Sequence, residues 1–149
     1  MEILFIKRDR LQKKPDEKQL GFGKYFTDHM FIMDYEEGIG WHDAAIVPYG
    51  PIPMTPATVV LHYAQETFEG LKAYRRADGE IQLFRPEMNA RRMIRCNERL
   101  CMAPIPEEMF LEAVNALLKG SLRAGDVLIY PPVCVCHGIY PGRSSVPGI

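Results

Sequence analysis

Two blocks of sequence decide the fold of this chain: LHYAQETFEGLKAYR at residues 61–75 and LFRPEMNARRM at residues 83–93. Between them stands Asp78-Gly79, a dipeptide typical of a β-hairpin, because both residues of the common two-residue turn need positive φ. The hairpin predicts strands at residues 71–76 and 80–84. The two blocks are therefore expected to be joined through a pair of antiparallel strands.

Three helices are predicted, at residues 55–68, 86–99 and 106–119. The first begins with Thr55 and Pro56, a hydroxyl N-cap and a proline at the first helical position, and is expected to stop near Gly70. The third helix has an apolar stripe at helical spacing, which should face a core. The residues of that stripe are Phe110, Ala113, Val114 and Leu117.

The remaining strands and loops complete an α/β domain of the α+β kind. Residues 2–7 alternate apolar and polar side chains and predict a short strand. Residues 29–35, HMFIMDY, predict a buried strand. The glycines at 38–40 and the Pro/Gly-rich stretch at 48–56 predict a long ordered loop. Strands mixed with packing helices indicate one domain.

The composition is that of an ordinary globular protein, with 149 residues of which 47% are hydrophobic and 25% are charged. A formal net charge of −1 provides no basic field, so neither nucleic acid nor a membrane surface is an expected partner. No run is apolar enough to span a bilayer, and the charged N-terminal stretch does not fit a signal peptide. We therefore expect a cytoplasmic protein.

The four cysteines predict neither a disulfide framework nor a metal site. Cys134 and Cys136, followed by His137, have the residue types of metal ligands. Their spacing is not that of the common Cys-x-x-Cys pair, and no second pair of ligands accompanies them.

Two arginines could bind a phosphate group. A phosphate needs a fixed cation and oriented donors, and the planar fork of arginine provides both. Arg85 and Arg92 lie around the start of the second predicted helix. Composition alone favours the interpretation that both are ordinary surface arginines.

Other side chains have two possible interpretations. Phe22, Tyr63 and Phe68 could line a pocket for an apolar group, or they could be core aromatics. His62 could be a general base or a packed histidine. Lys72 could form a Schiff base, although its place between Leu71 and Ala73 is that of a solvent-facing strand residue.

Four segments together resemble one enzyme family. GFGKYFTDHM, LHYAQETFEGLKAYR, LFRPEMNARRM and LCMAPIPEEMFLEAV are similar, in order and spacing, to the small N-terminal domain of the branched-chain amino acid aminotransferases. These are pyridoxal-phosphate enzymes of fold type IV. The resemblance covers about residues 20–118. It implies that Arg92 binds the cofactor phosphate, and that Phe22, Tyr63 and Phe68 contribute to the pocket for the branched side chain.

The resemblance also implies an activity and an assembly. Members transfer the amino group between leucine, isoleucine or valine and 2-oxoglutarate, with the cofactor between two domains of each subunit of a homodimer. The Schiff-base lysine belongs to the large domain, and none of the seven lysines here corresponds to it. The chain is therefore expected to be catalytically incomplete, with no catalytic residue of its own.

The residues after 119 depart from the family pattern. Family members continue with a strand resembling PGTSLYIRPFVFATE, whereas residues 124–138 read AGDVLIYPPVCVCHG. Codons for the second sequence, read one base later, can spell the first. We therefore interpret residues 1–119 as the small domain and 120–149 as an out-of-frame tail, with a frameshift between about 119 and 126 and the large domain absent.

Two other kinds of function remain open. Within the enzyme class, the alternatives are a D-amino acid aminotransferase and an aminodeoxychorismate lyase of the same fold type. From a different class, the alternative is a non-catalytic remnant that dimerises or pairs with an intact paralogue.

Overall fold

The structure is a computed structural model that describes residues 1–13 and 25–121, and this part of the chain is a mixed α/β arrangement of two small sheets and three helices. In chain order the elements are β1 (Leu4–Phe5), β2 (His29–Glu36), β3 (Gly40–Pro48), α1 (Val60–Tyr63), β4 (Ala73–Arg75), β5 (Ile81–Leu83), α2 (Pro86–Arg99) and α3 (Glu107–Ser121). Within those two ranges, no helix has the length and apolarity needed to cross a membrane.

The larger sheet has the strand order β1-β3-β2, with β1 parallel and β2 antiparallel to the central strand. The central strand was not predicted, because its sequence GWHDAAIVP has no clear alternation. Ala44, Ala45 and Ile46 are buried in it, since strands flank them on both sides and α3 packs near the sheet. The loop that the sequence predicted is therefore interrupted by the strand that organises the sheet.

The β2 strand confirms the prediction at residues 29–35 in its position but not in its burial. Only His29 is fully buried, and the strand becomes exposed toward Glu36, because β2 lies at the edge of the sheet. The N-terminal strand is also shorter than predicted, since only Leu4–Phe5 pair with β3.

The hairpin of β4 and β5 is confirmed, with Ala73 opposite Leu83 and Arg75 opposite Ile81. Its turn differs from the prediction. Gly79 has a φ of 88°, but Asp78 is not in the positive-φ region. The Gly79 amide donates to the Arg76 carbonyl at 3.0 Å, as in a three-residue loop whose last residue is left-handed.

The two long helices match their predicted bounds to within two residues. They pack on each other, and the predicted stripe of α3 is buried as expected. The main core cluster joins these helices to β4. It consists of Ala73, Ala90, Met93, Ile105, Phe110, Val114 and Leu118.

The first predicted helix is wrong over most of its length. The structure has a single helical turn, Val60–Tyr63, with Val59 as the N-cap and without a side-chain cap. Thr55 is not a helix cap, since it bonds to Thr58 in a local turn. The helix ends at Ala64, which is left-handed with a φ of 48°. From there the chain runs on in an irregular path that contacts α2.

Candidate functional site

The residues after α1 form an extended stretch, residues 65–69, whose alternate side chains face α2. The Gln65 side chain donates to the Leu100 carbonyl at 2.7 Å, and the Thr67 hydroxyl donates to Asn97 Oδ1 at 2.6 Å. The Glu69 side chain lies on the same side of the segment and contacts Arg92. An alternation of this kind is expected of extended chain, in which residues two apart share a face. We call residues 65–69 the extended segment.

Glu69 and Arg92 form a bidentate ion pair at the end of this segment. Arg92 Nε lies 2.5 Å from Glu69 Oε1, and Nη2 lies 2.6 Å from Oε2. The Glu69 side chain is only 3% exposed, whereas that of Arg92 is 58% exposed. The hydrogen bonds that Arg92 donates to Glu69, and then the negative charge of Glu69, raise the pKa of Arg92 above its ordinary value. The Arg92 guanidinium is therefore held in place by the buried Glu69 carboxylate.

Asn89 completes the surroundings of the buried carboxylate. Its Nδ2 donates to Glu69 Oε2 at 2.8 Å and to the Gly70 carbonyl at 3.2 Å. Asn89 and Arg92 are three residues apart on α2, so they lie on the same face of that helix. Three hydrogen bonds to the carboxylate offset the cost of burying its charge.

The neighbouring arginine, Arg91, binds a different carboxylate. Arg91 Nε donates to Glu107 Oε2 at 2.8 Å, which connects α2 to the first turn of α3. The Glu107 hydrogen bond raises the pKa of Arg91, and in return Arg91 lowers the pKa of the Glu107 carboxyl. Arg91 and Arg92 thus point to different partners, one on a helix and one on the extended segment.

Two of the three aromatic candidates are described by the structure. Tyr63 is 75% exposed at the end of α1, and Phe68 is 76% exposed on the outward side of the extended segment. They are therefore not core aromatics in this structure. Phe22 lies outside the described residues. The assignment of these three to a side-chain pocket stays a prediction.

The other candidates are accounted for locally. Arg85 is the left-handed N-cap of α2, at a φ of 47°, and lies 3.9 Å from the Glu87 carboxylate. The His62 ring is hydrogen bonded to the Pro56 carbonyl at 2.7 Å. Lys72 is exposed, in agreement with its interpretation as a solvent-facing lysine. Of these, none is placed beside Arg92 by a hydrogen bond or ion pair between described residues.

Metal ligation receives no support from the described part of the chain. Within it, no three histidine, cysteine, aspartate or glutamate side chains are grouped to hold an ion. Cys134, Cys136 and His137 lie outside the described residues.

The arrangement around Arg92 suits an anion. A guanidinium has five N–H donors, and the two that meet Glu69 lie along its Nε–Nη2 edge. Among hydrogen bonds between described residues, none uses Nη1. Because the Arg92 side chain is 58% exposed, its Nη1 group has donors suited to a phosphate oxygen while the Nε–Nη2 edge stays on Glu69. The residues present fit a phosphate-bearing cofactor.

The sequence analysis missed Glu69, Asn89 and Asn97. For Asn97 a signal existed, because it follows Ala90 and Met93 at spacings of three and four on the inward face of α2. A polar residue on such a stripe indicates a buried hydrogen bond. For Glu69 no comparable signal existed, since the segment was interpreted as helix and then turn.

Sequence comparison identifies what the chain is similar to. It is 55% identical over 108 residues to branched-chain-amino-acid transaminase 1 of Bacillus subtilis, which is 72% of this chain and 30% of that protein. It is 55% identical over 98 residues to the branched-chain-amino-acid aminotransferase of Mycolicibacterium smegmatis, covering 66% of this chain and 27% of the relative. A probable branched-chain-amino-acid aminotransferase of Staphylococcus aureus is 52% identical over 112 residues, covering 75% of this chain and 31% of the relative.

No family model matches the chain. The similarity to the three transaminases covers most of this chain, at a level of identity that unrelated proteins do not reach. This chain is therefore a relative of the branched-chain aminotransferases over about 70% of its own length, and it spans about 30% of the length of those proteins.

Proposed function

We propose that this chain provides the phosphate-binding part of a branched-chain aminotransferase, with Arg92 as the cation for the phosphate of pyridoxal 5′-phosphate. The observation that carries the proposal is the Arg92 side chain, which is 58% exposed while its Nε–Nη2 edge is held by a buried carboxylate. When bound, the cofactor supplies an electron sink that makes the α-hydrogen of an amino acid acidic. Arg92 binds and orients it through charge-assisted hydrogen bonds.

The proposed reaction of the whole protein is amino-group transfer between leucine, isoleucine or valine and 2-oxoglutarate. Tyr63 and Phe68 are large apolar side chains that are exposed here, and with Phe22 they would form the apolar wall for a branched side chain. Residues 1–119 would be the small domain of a fold type IV subunit in a cytoplasmic homodimer. The sequence similarity to named branched-chain transaminases supports this class over other fold type IV enzymes.

The proposal is tested by a chimera. The 108 matched residues of the Bacillus subtilis transaminase are replaced by those of this chain, and leucine transamination is measured with 2-oxoglutarate. We expect activity to be retained. In the chimera, Arg92→Ala should weaken binding of pyridoxal phosphate by about tenfold or more, because charge-assisted hydrogen bonds are lost.

Arg91→Ala is the matched control, because Arg91 makes the same type of ion pair but with Glu107 on α3. It should leave cofactor binding near that of the parent chimera. Equal losses in the two variants would contradict the assignment of Arg92. A folded chimera that binds the cofactor yet does not transaminate leucine would contradict the substrate class.

We also propose that these 149 residues alone do not transaminate, since none of their lysines corresponds to the Schiff-base lysine of the family. Pyridoxal phosphate is added to the purified chain, followed by borohydride and peptide mapping. We expect no stoichiometric adduct at one lysine, and such an adduct together with leucine transamination would overturn this statement. The nucleotide sequence of the gene tests the proposed frameshift. Codons for residues 130–143 that cannot spell the family sequence in the other frame would exclude it.

A second candidate is a non-catalytic protein that dimerises or pairs with an intact paralogue. It is favoured by the large apolar side chains on the surface, among them Tyr63, Phe68 and Phe84, each about three-quarters exposed. Size-exclusion chromatography of the chain should then show oligomers. A stable monomer that unfolds cooperatively would count against this candidate.

A further inference from the structure

We propose that Glu69 is a positioning residue of the phosphate site: it holds the Nε–Nη2 edge of Arg92 so that the Nη1 edge faces the phosphate. The inference rests on the proposed function, because it takes Arg92 as the phosphate ligand. It adds a negatively charged residue to the site, whereas an anion site is expected to have cations and hydrogen-bond donors. A carboxylate beside a phosphate would normally repel it, so its presence needs a reason.

The geometry of the pair gives that reason. A guanidinium is planar, and two parallel hydrogen bonds to one carboxylate fix both its plane and its rotation in that plane. The two distances, 2.5 and 2.6 Å, are nearly equal, so the fork is symmetric. An exposed arginine without such a partner would sample many rotamers. With Glu69 in place, the orientation of the outer edge is set before a ligand arrives.

Glu69 is itself held in place. Its side chain is buried, and Asn89 fixes both its carboxylate and the next carbonyl of the chain. Two residues earlier, Thr67 is tied to the fully buried Asn97. The rotamer entropy that a phosphate would otherwise have to remove from Arg92 is therefore removed during folding.

A competing arrangement is that the phosphate displaces Glu69 from Arg92. That exchange would leave a carboxylate that is 3% exposed with Asn89 as its one side-chain partner among the described residues. An unpaired buried charge is strongly unfavourable. We therefore expect the ion pair to persist in the complex, with the two anions on opposite edges of one guanidinium.

The test uses a change that conserves charge. Glu69→Asp keeps the negative charge but shortens the side chain by one methylene. The carboxylate then no longer reaches Nε and Nη2 of Arg92 in its present position. The full 149-residue chain is titrated with pyridoxamine 5′-phosphate and with pyridoxamine, neither of which can form an imine with a lysine. The readout is the ratio of the two dissociation constants, which reports the phosphate contribution alone.

We expect Glu69→Asp to reduce this ratio by about tenfold, the size of one lost charge-assisted hydrogen bond. A merely structural role would weaken both ligands equally and leave the ratio unchanged, which would overturn the inference. Glu107→Asp is the matched control, because it shortens the partner of Arg91 in the same way. Its ratio should equal that of the parent chain.

A second measurement on the unsubstituted chain covers the case in which Glu69→Asp does not fold. The Arg92 Nε–H signal in a proton–nitrogen NMR spectrum, assigned by its loss in Arg92→Lys, is followed during titration with pyridoxamine 5′-phosphate. Persistence of this signal, with slow solvent exchange, is expected if Glu69 keeps its edge. Loss of protection on binding would overturn the inference.

The two levels of failure are distinguishable. If the parent chain shows no preference for the phosphate form and Arg92→Lys changes nothing, the proposed function fails and the inference falls with it. If the parent chain prefers the phosphate form and loses that preference in Arg92→Lys but not in Glu69→Asp, only the inference is refuted.

Discussion

Removal of the small, buried Asn97 side chain should destabilise this domain strongly. Asn97 is fully buried, at 0% exposure. Its Oδ1 accepts from the Thr67 hydroxyl at 2.6 Å and its Nδ2 donates to the Ala103 carbonyl at 2.9 Å. The substitution Asn97→Ala leaves both partners without their bond. It also leaves a small void beside Met93 in the core.

The magnitude follows from these three losses. The Thr67 hydroxyl is buried, so leaving it unsatisfied costs about 1–3 kcal/mol. The Ala103 carbonyl belongs to a half-buried residue that water can reach, so its loss is nearer to about 1 kcal/mol. The void adds about 1 kcal/mol. We expect Asn97→Ala to lower the free energy of unfolding by about 3–5 kcal/mol, which is a large part of the about 5–15 kcal/mol of an ordinary domain.

The assay is urea unfolding followed by circular dichroism, with a double-mutant cycle against Thr67→Val. That second substitution keeps the shape of Thr67 and removes only the hydroxyl. Because the two side chains share one hydrogen bond, the double variant should lose less stability than the sum of the single variants, by about 1–2 kcal/mol. Additive effects would refute the shared bond.

The matched control is Asn115→Ala on α3. Asn115 is exposed and its amide donates to the Leu111 carbonyl of its own helix. Its replacement should change stability by no more than about 0.5 kcal/mol. If Asn97→Ala costs as little as this control, the buried network does not stabilise the domain and the reasoning is wrong.

Three further changes test the electrostatics and the backbone. Arg91→Ala should lower the melting temperature at pH 7 and make little difference in acid. The ion pair with Arg91 lowers the pKa of Glu107 below its ordinary 4.5. The stabilisation from the pair is therefore present above pH 4.5 and is lost as the pH falls through the pKa of Glu107 in the folded state. A melting-temperature difference that persists at pH 2 would contradict this. Ala64→Gly should stabilise by about 0.5–1 kcal/mol in urea, because an alanine at a φ of 48° is strained and glycine is not. Gly79→Ala should destabilise by about 1 kcal/mol at a φ of 88° with open space around the new methyl, and an unchanged urea midpoint would exclude the strain.

The sequence predicts well those elements whose apolar residues recur at a regular spacing and all face the core. The α3 stripe has apolar residues at helical spacing, and each faces the core that its period requires. For α2, Pro86 marks the first turn and the inward face follows at the same spacing. In both helices the local preference and the tertiary environment agree, so the bounds could be predicted to within two residues.

Elements that depend on distant partners could not be predicted. The central strand β3 is buried between β1 and β2, yet its sequence contains His42 and Asp43 beside its apolar run and two flanking Gly/Pro-rich stretches. Residues 55–68 contain a proper cap and good helix formers, so local rules predict a helix. The structure has only a turn and the single helical turn Val60–Tyr63 there, and from residue 65 the chain leaves the helix, with Thr67 and Glu69 hydrogen bonded to side chains of α2. No local pattern reports partners that lie more than twenty residues away.

The long-range contacts that local sequence patterns do not predict also define the candidate site. Arg92 could be proposed from the sequence because a motif carries it, but the direction of its guanidinium depends on Glu69, and Glu69 is held in register with α2 by the bond between Thr67 and Asn97. Side-chain hydrogen bonds to α2 hold the extended segment in its position along the helix. Stability and site geometry therefore share one set of hydrogen bonds. A change at Asn97 is therefore expected to loosen the segment two residues from Glu69 as well as to destabilise the domain.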